Sequence, residues 1–181
     1  MEYRETITLK DGRACVIRQG TARDAEGVLR NFVLNHAQTD FLTTYPDEIG
    51  FTMEQEAQYL QNKADSPDEV ELVAEVDGLI VGQAGIRSLG RADKVKHRAT
   101  FGISIDIDWW HLGIGRALTK ACIELAKQAG YLQLELEAVA ANERALALYE
   151  SEGFREYGRN PKGFRSRLTG WQELVLMRRE L

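Results

Sequence analysis

Apolar and polar residues alternate from Lys94 to Asp108. Val95, His97, Ala99, Phe101, Ile103, Ile105 and Ile107 fall on one face, and Lys96, Arg98, Thr100, Gly102, Ser104, Asp106 and Asp108 on the other. A period of two predicts a strand. From Ile114 the period lengthens: Ile114, Ala117, Leu118, Ala121, Cys122, Leu125, Ala126 and Ala129 recur at helical spacing until Gly130 supplies a stop. Tyr131–Val139 then reads as another strand. Asn142 is placed to cap a helix whose Ala145, Leu148 and Tyr149 share a face, Gly153 suits its left-handed end, and Phe154 returns to the core.

The N-terminal half supplies the rest of a layered scaffold. Ala14–Arg18 predicts a strand. Thr21 with Asp24 starts a helix with an expected buried stripe of Ala25, Val28, Leu29, Phe32 and Val33, and Thr52 with Gln55 opens a second. The connection from His36 through Phe51 is long, and its Phe41, Tyr45 and Pro46 are read as cover for the core in preference to an acceptor lining. Val70–Val76, Asp77-Gly78 and Leu79–Ile86 form a hairpin pattern, since Asp-Gly suits a two-residue turn. Phe154–Tyr157 and Gly170–Arg178 predict two late strands, joined by the basic segment Arg159–Arg167, read as a solvated loop.

The chemistry concentrates where the first strand above meets its helix, at Trp110, His111, Leu112, Gly113, Ile114 and Gly115. A first helical turn leaves backbone N–H groups unpaired at the positive end of the dipole, and glycines let a phosphate approach them. The loop lacks the third glycine of a dinucleotide fingerprint and the Lys-Ser/Thr of a P-loop, which argues against nucleotide hydrolysis. Taken alone, the pattern fits either an anion site of another kind or glycines needed only for a tight strand-to-helix turn.

The order strand, glycine turn, helix, strand, then Asn142, Ala145, Leu148, Tyr149, Gly153 and Phe154 resembles the GNAT N-acetyltransferase superfamily over roughly the last half of the chain. The resemblance implies an α/β (α+β) fold with a mixed, mostly antiparallel sheet of six to seven strands flanked by about four helices. It also implies acetyl-CoA as co-substrate. In the family the loop reads Gln or Arg, two residues, Gly, one residue, Gly or Ala. Here Gly113 and Gly115 match, and Trp110 stands at the first position. The resemblance implies that the backbone amides of Leu112, Gly113, Ile114, Gly115, Arg116 and Ala117 hold the pyrophosphate and that backbone groups of Ile105, Asp106 and Ile107 orient the pantetheine arm. Asn142 would hydrogen-bond the cofactor, and Tyr149 would protonate the departing thiolate. Acetyl transfer to an ammonium, with a pKa near ~10.4, also requires a proton acceptor. Asp106, Asp108, Glu135, Glu137 and His111 are the candidates, and Thr100, where some relatives carry Glu, leaves a water-mediated route open.

Composition narrows the setting. The 181 residues, 44% hydrophobic, suit one domain over residues 1–181, with no Pro/Ser-rich stretch to divide it. A net charge of −5 argues against a nucleic-acid partner and favours a cationic acceptor. Cys15 and Cys122 both sit in apolar patterns and read as buried thiols, and with no apolar signal region or run of ~20 apolar residues the chain is expected in the cytoplasm, off the membrane. His36, His97 and His111 lack metal-ligand spacing, His97 reads as a packing residue, and no metal is expected. The expected function is acetyl-CoA-dependent N-acetylation by direct attack of an amine in a ternary complex. The acceptor is either a small-molecule amine or a protein N-terminus or lysine, a homodimer stays open, and the reading from another class is a non-catalytic acyl-CoA sensor.

Overall fold

The computed structural model describes residues 1–48 and 50–181, so Ile49, inside the predicted His36–Phe51 connection, lies outside the described residues. The chain runs β1 (Arg4–Thr8), β2 (Ala14–Gln19), α1 (Ala25–Gln38), α2 (Met53–Asp65), β3 (Val70–Val76), β4 (Leu79–Ser88), β5 (Arg98–Ile105) and α3 (Ile114–Gln128). It continues through β6 (Gln133–Val139), α4 (Glu143–Ser151), β7 (Arg155–Ser166) and β8 (Gly170–Glu180). The described strands form one sheet in the order β1-β2-β3-β4-β5-β6-β8-β7. Its pairs are antiparallel except β5 with β6.

Local signals explain most of these elements. Thr52 Oγ1 accepts the Gln55 N–H while the Gln55 side chain accepts the Thr52 N–H, closing the capping box at the start of α2. At the β3–β4 turn Asp77 and Gly78 both have positive φ, 50° and 78°, the backbone a two-residue hairpin requires. Asn142 Oδ1 accepts the Ala145 N–H and so caps α4.

Helices cover both faces of the sheet. On one, Val28 of α1 and Leu60 of α2 close over Val73 and Ile80. On the other, Leu118, Cys122 and Leu125 of α3 pack on Leu72, Ala74, Ala84 and Ala99. Fully buried Phe154 lies with Tyr149 and Phe101 in a ring cluster, centroids 6.0 and 6.1 Å apart. Edge contacts of this kind rigidify the junction of α4 with β5.

Four expectations need correction. The sheet has eight strands because β1, too polar to show a period, pairs along the edge of β2. The strand expected over 94–108 is confined to Arg98–Ile105, with turns on either side. The basic segment 159–167 is strand: β7 runs to Ser166, with irregularities between Glu156 and Gly158 and between Asn160 and Phe164 that accommodate the glycines and Pro161. On α1, Val33 is exposed, and Asn31, Asn35 and His36 are buried instead. That face of α1 meets polar groups of the sheet, with Asn35 Nδ2 donating to Ser104 Oγ at 3.1 Å.

Candidate active site

The β5–β6 ladder ends at Thr100 opposite Glu135, although β5 continues to Ile105 and β6 to Val139. Two parallel strands that stop pairing while both continue leave a wedge between them. A cavity of about 650 Å³ fills it, lined by Phe101–Ile105 on one arm, Glu135–Val139 on the other, and Tyr149 and Asn142 at α4. Strand alternation decides which backbone groups face it. The Asp106 N–H donates to Val81 O, so even-numbered positions of β5 turn their backbone toward β4. The backbone N–H and C=O of Ile103 and Ile105 consequently point toward the wedge.

The same alternation separates Ile105 from its neighbours. The Asp106 amide is held by Val81, and the Ile107 amide donates to Gln38 Oε1 at 3.0 Å. Ile105 lines the cavity; Asp106 and Ile107 do not. Trp110, at the position where the family pattern has Gln or Arg, donates its indole N–H to the Ile105 carbonyl at 2.8 Å and thereby ties the loop to the end of β5.

The loop ends in a helix N-terminus aimed at the cavity. Gly113 takes φ 105°, ψ −7°, a left-handed conformation that turns the chain into α3. Ala117 N–H already bonds the Gly113 carbonyl, so the unpaired first-turn donors are Ile114, Gly115 and Arg116, all three lining the cavity with Gly113, whereas Leu112 and Ala117 do not. Cations surround this end: Lys10, Arg116 and Arg144 line the same cavity. The Arg144 guanidinium stacks 3.4 Å over the Trp110 ring and lies 3.2 Å from His111 Nε2. Arg116 is shared with Glu152 at 3.5 Å, whereas Lys10 and Arg144 have no carboxylate partner among the described residues, and amides at the positive end of a dipole with such cations beside them suit a polyanion.

Tyr149 is buried, and burial pushes its phenol up to about 12. Its ring is held edge-on to Phe101 at 6.1 Å. The hydroxyl makes no hydrogen bond among the described residues.

The candidate proton acceptors separate by their partners. Asp106 accepts from Gln38 Nε2 at 2.8 Å and from the Asp108 amide, which makes it a cap of the turn after β5. Glu135 is bound in a fork by Arg98, one arm at 2.8 Å. Asp108 is exposed and does not line the cavity, whereas His111, also exposed, lines it with its ring against Arg144. Thr100 Oγ1 donates weakly to the Arg87 carbonyl at 3.4 Å. Glu137 lines the cavity, exposed and without an ion pair among the described residues.

Beyond β5 a second cavity, of about 440 Å³, opens on the α1/α2 side and shares Leu42, Thr43 and Thr100–Ser104 with the first. Glu71, His36 and Gln83 line it. None of these was a site candidate from sequence, because their convergence depends on strand register. The one available hint was a glutamate one position into the strand Val70–Val76, opposite the two-glycine stretch of β4.

Comparison with known proteins agrees with this geometry. Residues 31–154 match the acetyltransferase (GNAT) family. The chain is 28% identical to an L-amino acid N-acetyltransferase of Escherichia coli over 148 residues, covering 81% of this chain and 86% of that protein. A shorter stretch of 56 residues is 45% identical to the [ribosomal protein bS18]-alanine N-acetyltransferase of the same organism, covering 31% of this chain and 38% of that one. Among solved structures, an acetyltransferase of the GNAT family from Streptococcus pneumoniae superposes with a TM-score of 0.87 at 27% identity, over 92% of this chain and 99% of that one. The matched family and relatives define the class as a group-transfer enzyme. The chain belongs to the acetyltransferase (GNAT) family and is an acyltransferase.

Proposed function

We propose that the protein transfers the acetyl group of acetyl-CoA to a primary amine by direct attack within a ternary complex. The observation that carries this reading is the open wedge between β5 and β6, with a helix N-terminus at one end and Tyr149 at its side. The amides of Ile114, Gly115 and Arg116, with Lys10, Arg116 and Arg144 around them, suit the pyrophosphate of CoA. The wedge-facing backbone of Ile103 and Ile105 suits the amides of the pantetheine arm. Asn142 lines the same cavity while its Oδ1 caps α4. Tyr149, neutral through the physiological range, is suited to give its proton to the sulfur as the C–S bond breaks.

The acceptor we infer is a compact amine of the α-amino type. Phe41, Leu42 and Thr43 wall the cavity, so the 39–45 connection narrows the approach as well as covering the core. Tyr45 fixes that connection, its hydroxyl accepting the Arg167 N–H at 2.6 Å. Two relatives whose names specify an L-amino acid and an alanine support an α-amine.

Calorimetric titration with acetyl-CoA, followed by thiol release on addition of L-amino acids, an alanine-initiated peptide and spermidine, tests the reading. Micromolar binding with turnover of an α-amine is the expected result. Absence of heat with acetyl-CoA overturns the co-substrate assignment, and turnover confined to spermidine overturns the acceptor class.

A further inference from the structure

The register across three strands aligns Glu71 of β3 with Gly85 of β4 and Gly85 with Gly102 of β5. Directly paired residues point to the same face, here the α1/α2 face, so a glutamate looks along a row with no other side chain in it. The two outer strands of this row are about 10 Å apart, twice the inter-strand spacing. The Glu71 side chain crosses roughly half of that distance, because a methyl group at Gly85 would overlap its Oε2. At Gly102 nothing lies within 4 Å of where a Cβ would be, and this residue lines both cavities. The glycines therefore hold open a path from the Glu71 carboxylate to the wedge.

That carboxylate is short of partners. Its one hydrogen bond among the described residues is a 3.4 Å contact from the Tyr59 hydroxyl. Of the two cations that act on it, Lys63 is committed to Glu69 at 2.5 Å, and Arg87 makes no ion pair with it among the described residues. Beside it the buried Gln83 Oε1 has no partner at all among the described residues. Acceptors left short of donors in a cavity are sites where a donor from outside is expected to bind.

We propose that Glu71 is the group that receives the acceptor's ammonium and removes its proton before attack. The inference rests on the acetyl-transfer reading above. One N–H proton of R–NH3+ passes to a Glu71 carboxylate oxygen, giving R–NH2 and a neutral carboxyl. The nitrogen lone pair forms a bond to the thioester carbonyl carbon. As the tetrahedral centre collapses the C–S bond breaks, the electron pair leaves on sulfur, and Tyr149 protonates the thiolate. The second N–H proton is lost to Glu71 by way of solvent, after the first has left, and Tyr149 is reprotonated from solvent, so that each turnover yields R–NH–acetyl, CoA–SH and one proton.

The surroundings fit this role. Glu71 is faced by Tyr59, Glu56 and Lys63 of α2, by Arg87 of β4 and by His36 of α1. Burial pushes its carboxyl up to about 7, against the opposing pull of Lys63 and Arg87. A base with that affinity is half ionised at neutral pH, where general-base catalysis is most efficient. His36 is the competing group, but its Nδ1 lies 2.7 Å from the Phe32 carbonyl and burial lowers its proton affinity.

The test is the pH profile of kcat/KM for thiol release with acetyl-CoA and the best α-amine of the panel, in wild type, Glu71→Gln and His36→Gln. Expected is a wild-type rise through about pH 7 that E71Q abolishes, with kcat/KM at pH 8 lower by a hundredfold or more and the calorimetric Kd for acetyl-CoA within twofold of wild type. Gly85→Ala, which crowds the carboxylate without removing it, is expected to lower kcat/KM by about tenfold. An E71Q variant with the wild-type rate and inflection overturns the proposal while leaving acetyl transfer intact, and so does an inflection lost in H36Q and kept in E71Q. A wild type that binds acetyl-CoA and transfers to none of the amines, or does not bind it, overturns the transfer reading and this one with it.

Discussion

At the scale of the residue, Tyr149 shows how one side chain serves packing and chemistry separately. Its ring is fixed by Phe101 and Phe154, contacts that a phenylalanine would keep, while the residue lines the cavity and its hydroxyl has no hydrogen-bond partner among the described residues. Because burial pushes the phenol up to about 12, it remains a proton donor across the working pH range and does not contribute a limb to the pH profile near neutrality. Tyr149→Phe is therefore expected to lower kcat by about a hundredfold, with the acetyl-CoA Kd within twofold and little change in Tm. Steady-state kinetics beside calorimetry separates the two quantities. Unchanged turnover would remove Tyr149 from the mechanism.

At the scale of the element, the strand-turn-helix unit of β5 and α3 depends on one backbone conformation. Gly113 has φ 105°, and nothing lies within 4 Å of a Cβ built there, so the cost of a side chain is backbone strain in the free protein, ~1–2 kcal/mol. In the complex the same methyl would also stand at the mouth of the amide cradle. Gly113→Ala is expected to lower Tm by about 2–8 °C and to weaken acetyl-CoA binding tenfold or more, read by thermal melts and calorimetry. A wild-type Kd would take the turn out of the cofactor site. This unit was legible in the sequence because it is local: a change of period from two to 3.6 brackets two glycines, and Asn142 caps the next helix at a fixed offset. The rest was not local. The segment 159–166 has the glycine and proline of a loop and becomes the rest of β7 because β8 offers it a partner. Asn31, Asn35 and His36 have the polarity of a solvated helix face and are buried, with Asn35 bonded to Asn31 and to Ser104 and His36 lining the second cavity. Glu71 lies among apolar neighbours, and its path to the wedge exists only through the pairing of three strands. Sequence periodicity specified the glycine turn that we propose for the cofactor, whereas the second cavity, where we propose the base, is assembled by register and was missed for that reason.

At the scale of the whole molecule, a carboxyl held near 7 has a consequence for stability that a structural ion pair would not have. Glu71 has its folded-state value raised from 4.5 to about 7, with burial the leading cause. Between those values the folded protein holds the proton more firmly than the unfolded chain, so stability falls as pH rises through that window and stays lowered above it. The full shift corresponds to about 3 kcal/mol, an upper bound because the residue is partly exposed. Glutamine keeps the shape and the hydrogen-bonding capacity and carries no charge to desolvate at any pH. Glu71→Gln is thus expected to raise Tm at pH 8, where the wild-type carboxyl is ionised, by at most ~12 °C, and to melt within about 1 °C of wild type at pH 4.5, where it is not. A carboxylate retained for an ion pair would give the opposite sign, since its removal leaves a buried cation unpaired. Melting curves of the two proteins at both pH values decide between these signs. A variant that is more stable and less active at pH 8 identifies Glu71 as a group whose ionised state the fold tolerates at a cost, for the sake of a proton it must accept.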